Sequence, residues 1–448
     1  MLSPMMQHYL QTKKEAGDCI LFYRLGDFYE MFFEDAETAS RELELTLTGK
    51  DCGLEERAPM CGIPYHAAET YISRLVEKGY KVAIAEQMED PKLAKGLVKR
   101  EIIRVVTPGT NISQLALDET RNNYLMSIVY LDKTFGLAVT DVSTGEFQVT
   151  EVDSVRAMTD EINKFTPSEI VCNEAFLMSG IDAEDLRNRL RISVSALDDR
   201  HYDESACRRI LKEHFHVASL SGFGLEDYPG GLIAAGALLT YLTDTQKISL
   251  EHISGISTYQ TGRYMMIDTS TRRNLELLET LREKQKRGSL LWVLDKTSTA
   301  MGARMMRKFI IQPLLIKQEI LMRQDAIAEL NEDMIRREEL REYLKPIYDL
   351  ERLIGRIAYR TAGPRDLIAL SNSLSMLGPI KELLKTCSCE LLQKIDEQID
   401  SLDDVRELIE SAIVEDPPIG VREGGLIRKG YSEEADRLRA AKTEGKNW

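Results

Sequence analysis

The chain has 448 residues, of which 43% are hydrophobic and 29% charged, with a formal net charge of −15. At about 150 residues per domain this length predicts roughly three globular domains, and it excludes a single small core and a disordered or collagen-like chain. The acidic excess excludes a protein that coats nucleic acid without specificity, because such binding depends on neutralising phosphates.

Residues 19–23 form a buried apolar run that reads as a strand, and they lead into Arg24-Leu25-Gly26-Asp27-Phe28-Tyr29-Glu30-Met31-Phe32. Helical periodicity follows over 31–43 and again over 67–78, with Pro64 before the second helix and Gly79 where a C-terminal cap belongs. Residues 81–86 and 98–106 read as strands, the latter ending at Thr107-Pro108-Gly109-Thr110. These elements give a mixed α/β domain over 1–112, followed by a polar linker over 113–123.

Short strands rich in β-branched and aromatic residues then recur at 124–130, 135–140 and 146–150, with a helix at 154–163 and a further strand at 169–171. A β-meander leading into βα units therefore makes a second α/β domain over 124–250. From 251 to 430 the chain becomes helical, with apolar residues spaced by three and four over 274–287, 321–344 and 367–384, and a last helix begins within 431–448. That helix runs off the end without a closing apolar partner, so the reading is of a chain cut within a larger protein. The fold class is thus multidomain α/β plus all-α.

The longest apolar stretch, 232–242, is too short for the ~20 residues of a membrane span. The N-terminus lacks a basic-then-apolar leader, and seven cysteines without framework spacing fit a reducing compartment. A cytoplasmic protein without a membrane role is expected. Cys387-Ser388-Cys389 and His214-Phe215-His216 lack partners at metal-ligand spacing and read as structural.

Phe28-Tyr29-Glu30 carries the most chemistry. Phe28 reads either as a core aromatic, the commoner fate of phenylalanine, or as an apolar wedge able to unstack a base step. Glu30 lies three residues after Asp27 and reads either as part of a capping box or as an acceptor for a displaced base. Spacing alone favours capping. Lys92, Lys95, Lys99, Arg100 and Arg104 form one basic segment, and a second runs from Arg272 to Lys308. Asp141-Val142-Ser143-Thr144-Gly145 reads as a turn, or as the start of a metal-dependent nuclease site if further carboxylates converge on it.

Four motifs in order, Ser3-Pro4-Met5-Met6-Gln7, residues 22–30, Pro59-Met60-Cys61-Gly62-Ile63-Pro64-Tyr65-His66 and Val105-Val106-Thr107-Pro108-Gly109-Thr110, resemble the mismatch-recognition domain of the MutS family of DNA mismatch repair sensors. The resemblance continues through 124–250, similar to the family's ribonuclease H-like connector domain. It extends to the helical core through Asp349-Leu350-Glu351-Arg352-Leu353 and residues 360–367, and to the lever helix approached by Gly424-Gly425-Leu426-Ile427-Arg428-Lys429-Gly430-Tyr431.

It implies that Phe28 is the intercalating wedge and Glu30 the base-contacting acid, with Lys99, Arg100 and Arg104 as contacts to the DNA backbone. The implied partners are duplex DNA with mismatches or small loops, a second copy of the chain in the full-length family, and a MutL-type repair protein. The family also carries an ATPase that uses ATP and Mg²⁺. This sequence contains no Gly-x-x-x-x-Gly-Lys-Ser/Thr loop, so neither ATP binding nor any other cofactor is expected of it, nor enzymatic activity. The alternatives are a nuclease centred on Asp141 and an adaptor that docks repair partners.

Overall fold

The computed structural model describes residues 2–53, 56–89, 98–113 and 116–447. It falls into two compact units, Met1–Gln260 and Thr261–Trp448. The first holds two six-stranded sheets and the second is helical.

Helix α1 (Pro4–Ala16) starts where the Ser3 hydroxyl accepts the Met6 amide, with Pro4 in its first turn, and ends at Gly17 at φ +61°. There follow β1 (Ile20–Leu25), β2 (Phe28–Phe32), α2 (Phe33–Leu43), β3 (Thr48–Lys50), β4 (Ala58–Pro64), α3 (Ala68–Glu77), β5 (Val82–Gln87) and β6 (Arg100–Val106). The sheet order is β3-β4-β2-β1-β5-β6, with β1 and β5 parallel and the other pairs antiparallel. Strand alternation sends Phe22, Tyr29, Met31 and Ile63 into a core with α2 and α3, and Leu21, Tyr23, Phe32 and Ala85 into another with α1. Both faces of the sheet are therefore covered over most of their extent, with the Phe28 end of β2 left open.

One expectation fails here. Residues 28–32 form a central strand bonded to β1 on one side and β4 on the other, so the helix begins at Phe33. A backbone satisfied by two ladders gains nothing from helical bonds, and the Asp27–Glu30 capping box does not form.

The second lobe opens with an antiparallel meander, β7 (Leu125–Leu131), β8 (Thr134–Asp141) and β9 (Glu146–Val152). It continues with α4 (Val155–Phe165), β10 (Glu169–Cys172), α5 (Glu174–Leu177), α6 (Ala183–Asn188), β11 (Ser193–Ala196), α7 (Glu204–His214), α8 (Pro229–Gln246) and β12 (Ser257–Thr258). The order is β11-β10-β7-β8-β9-β12, with β10 parallel to β7, β11 parallel to β10 and β12 parallel to β9. Helix α8 is apolar on all sides because it is buried between this sheet and α7. Gly136 lets it close onto β8, since a Cβ there would stand 2.1 Å from the Gly230 carbonyl carbon.

The helical unit contains α9 (Thr269–Asn274), α10 (Leu290–Leu294), α11 (Ala300–Ile311), α12 (Lys317–Glu332), α13 (Met334–Leu344), α14 (Leu350–Ala358), α15 (Pro364–Ser375), α16 (Leu377–Leu384), α17 (Glu390–Gln398), α18 (Asp403–Ala412) and α19 (Glu433–Asn447). No helix among the described residues is long and apolar enough to cross a membrane. The helix expected over 274–287 is absent: Glu276, Lys284 and Gly288 take positive φ, and Leu290 and Leu291 bond back to the carbonyls of Glu276 and Leu277. The segment 321–344 breaks at Asp333, whose side chain accepts the Arg336 amide as a new N-cap. The segment 367–384 breaks after Ser375, four residues before Pro379, which can neither bond to that carbonyl nor clear it.

Candidate nucleic-acid interface

The hairpin between β1 and β2 turns on two residues, Gly26 and Asp27, with Leu25 facing Phe28 across the ladder. Gly26 takes φ +58°, a conformation glycine adopts without strain at the first position of a tight hairpin. Period-two alternation puts Phe28, Glu30 and Phe32 on one face and Tyr29 and Met31 on the other. Helix α1 covers the Phe32 end of that face through Tyr9, whose ring lies 4.8 Å from the Phe32 ring. Phe28, at the far end, remains 47% exposed.

The tip is braced from several directions. The Arg24 Nε donates to the Gly26 carbonyl at 2.6 Å, its guanidinium lies 3.8 Å from the centre of the Tyr65 ring, and its Nη1 pairs with Glu86 at 3.2 Å. The Tyr29 hydroxyl donates to the same Glu86 carboxylate. Burial, reinforced by that bond, raises the Tyr29 hydroxyl above the ordinary tyrosine range and keeps it a donor. The Tyr65 amide closes the turn by donating to the Asp27 carbonyl at 3.0 Å. An exposed ring is thus presented on a fixed backbone.

Glu30 lies opposite Gly62 on β4 and is paired with Lys50 of β3, Nζ to Oε2 at 2.5 Å. A Cβ at position 62 would approach the Tyr29 carbonyl oxygen to 3.3 Å. The Lys50 ammonium also lies 5.6 Å from the Phe32 ring centre. The carboxylate is therefore neutralised at the edge of the exposed face, with one oxygen engaged by the lysine.

The expected backbone-contacting residues differ in their surroundings. Lys99 is exposed and pairs with Glu101 at 2.5 Å. Arg100 is only 7% exposed, donates to the Arg24 and Val98 carbonyls at 2.7 Å each, and lies over the Tyr23 ring. Arg104 donates to Gln246 of α8 at 3.0 Å and to the Thr110 carbonyl at 3.3 Å. Lys92 and Lys95 fall outside the described residues. In the second basic segment, Arg304 is buried and bonds Asp349 and Glu351.

Asp141 is fully buried, and both its oxygens are occupied. One accepts the Ser143 amide and hydroxyl at 2.9 and 2.7 Å, the other the Asn122 side chain and Asn123 amide at 2.8 and 3.2 Å. This is a turn-forming aspartate. Among the described residues no three His, Cys, Asp or Glu side chains gather as a metal site would require. His214 contacts the Ile253 carbonyl through Nε2 at 2.8 Å, a structural role. Sequence reasoning missed Arg24, Lys50, Tyr65 and Glu86 as supports. Arg24 and Tyr65 stood inside recognised motifs, whereas nothing local marks Lys50 or Glu86.

Family models described as MutS domain I, MutS domain II and MutS domain III match residues 3–114, 123–254 and 270–444. The chain is 64% identical over 447 residues to a protein of Lachnoclostridium phytofermentans named DNA mismatch repair protein MutS, covering all of this chain and 48% of that relative. It is 50% identical to proteins of the same name from Ruminiclostridium cellulolyticum and Acetivibrio thermocellus, over 450 and 452 residues and 51% of each. The chain spans about half the length of these relatives.

Proposed function

The chain belongs to the MutS family, and from that premise we propose that it binds mismatched duplex DNA by inserting Phe28 at a weakly paired step while Glu30 accepts a hydrogen bond from the displaced base. The observation that carries this reading is a half-exposed aromatic ring on a braced hairpin tip, two residues from a carboxylate on the same face. Unstacking a base step costs a few kcal/mol and costs least where pairing is already poor, which is how a wedge distinguishes a mismatch. Lys50 neutralises Glu30 and lowers the repulsion that a free carboxylate would meet from phosphates. Exposed Lys99 suits a phosphate contact, while the internal bonds of Arg100 and Arg104 suit positioning.

The meander with two parallel strands beyond it supports a ribonuclease H-like connector over 124–250, and a helical core and lever beyond. Pairing with a second copy and docking of a MutL-type protein belong to the same reading. These 448 residues contain no phosphate-binding loop that fits ATP, and no step is routed through the nucleotide. The test is a fluorescence-anisotropy titration of the chain with labelled duplexes that differ by one mismatch. Tighter binding of the mismatched duplex is expected, and equal affinities would overturn the proposal.

A further inference from the structure

Thr107-Pro108-Gly109-Thr110 stands out in the sequence, lies far along the chain from the wedge, and has no part in the chemistry assigned to Phe28 and Glu30. Its structural partner is Glu169, the first residue of β10 in the second lobe, which is fully buried. Glu169 Oε2 accepts the Thr107 hydroxyl at 2.5 Å and the Gly109 amide at 3.0 Å, and Oε1 accepts the Tyr241 hydroxyl of α8 at 2.7 Å. One carboxylate thus ties the end of the first sheet to a strand and a helix of the second lobe.

The backbone is shaped for this contact. Gly109 lies so close that a Cβ there would stand 2.9 Å from Leu125 and 3.0 Å from Glu169. The Thr110 hydroxyl accepts the Thr107 amide at 2.9 Å and holds the turn closed. Three further bonds run along the same seam. Arg104 donates to Gln246, Gln246 donates to the Val105 carbonyl at 3.1 Å, and Lys247 donates to the Ile102 carbonyl at 3.0 Å. At its far edge Lys81 meets Ser195 at 3.0 Å. The first three join β6 to the end of α8, and Lys81 immediately precedes β5; β6 pairs with β5, and β5 with β1, which carries the wedge hairpin.

We propose that Glu169 is a positioning residue: its carboxylate locks the joint between the two lobes and so fixes the direction in which the second lobe aims the Phe28 hairpin. The link to mismatch discrimination rests on the function proposed above, whereas the lock itself does not. A buried carboxylate that receives three donors cannot be matched by an amide, because an amide nitrogen turned toward either side faces a donor. Glu169→Gln therefore opens one side of the joint at nearly unchanged volume. Tyr241→Phe removes a single donor and is the milder variant if the first does not fold.

The experiment places spin labels at Glu37→Cys on α2 and Asp132→Cys on the β7–β8 turn, both exposed, with Cys389→Ser removing the one native cysteine that is not buried. The distance distribution between the labels is read without DNA in the full chain. Glu169→Gln is expected to broaden it, and Tyr241→Phe to broaden it less. An unchanged width in the folded variants overturns the lock. In titrations with mismatched and paired duplexes, the Gln variant is expected to lose about tenfold in mismatch affinity, as misaimed groups do, with paired-duplex affinity unchanged. A broadened joint with full discrimination overturns the aiming role. A parent chain with no mismatch preference refutes the proposed function and leaves the distance measurement to decide the lock.

Discussion

Phe28→Ala separates the two fates of this ring. A fully buried phenylalanine costs about 3–5 kcal/mol when truncated to alanine, and Phe28, 47% exposed, should cost roughly half of that, about 1.5–2.5 kcal/mol of folding stability. Stacking of an aromatic ring on a base contributes about 1–3 kcal/mol, so mismatch affinity should fall between about 5- and 150-fold. Paired-duplex affinity, set by phosphates, should stay within error, and its salt slope should not change because phenylalanine carries no charge. Anisotropy titrations at two salt concentrations measure both quantities, and thermal unfolding by circular dichroism measures the folding cost. Equal mismatch preference in variant and parent would refute the wedge. So would a parallel loss on both duplexes, which would mean that the ring serves the domain and not the lesion.

The other predictions address charge and burial. Glu30→Gln removes a negative charge from the exposed face and frees Lys50 for phosphate, so paired-duplex affinity should tighten about three- to tenfold with a salt slope steeper by about one; unchanged affinity would refute the electrostatic argument. Asp141→Asn turns an amide toward donors on one side and should destabilise the fold by about 1–3 kcal/mol in thermal unfolding. Labelled duplex, single strand and hybrid should remain intact with Mg²⁺ or Mn²⁺ in both forms, whereas cleavage by the parent that the variant loses would revive the nuclease reading. Burial pushes the Cys19 and Cys61 thiols up to about 11 and Cys172 and Cys207 up to about 12. The folded chain therefore keeps these protons at pH values where the unfolded chain has lost them, and stability should fall as pH rises from about 9, the ordinary thiol range, toward 11–12. Urea unfolding at pH 8 and pH 10 checks the sign, and a disulfide reagent should find Cys389 as the fast-reacting thiol of the folded chain.

Much of the first unit was legible because its strands are short apolar runs bounded by turn residues. The strands expected at 81–86, 135–140 and 146–150 appear as Val82–Gln87, Thr134–Asp141 and Glu146–Val152. The error at 31–43 came from overlap: Met31 and Phe32 suit the helical period as well as the strand, and only the ladders from β1 and β4 decide between them. In the helical unit apolar spacing survives across breaks, so periodicity joined α12 to α13 and α15 to α16 where a capping aspartate and a proline separate them. Charge was the least legible property. Arg100 and Arg104 look like surface cations in a basic run, yet their partners are carbonyls and a glutamine contributed by residues as distant as 246.

Long-range pairing also accounts for how the tip can display an apolar ring. Exposing Phe28 forfeits part of its burial energy, a cost the fold tolerates only if the hairpin is held by other groups. Arg24, Tyr65 and Glu86 hold it, coming from β1, the residue after β4, and β5. Because the backbone beneath the ring is already fixed, inserting it into a duplex should require little further ordering, where a side chain on a loose loop would lose about 0.5–1.5 kcal/mol for itself and more for its backbone. Releasing Arg24 should therefore weaken mismatch binding without touching the ring or the carboxylate. On the proposed reading, the brace, more than the pair of residues it presents, is what would distinguish a mismatch probe from an aromatic side chain that happens to face solvent.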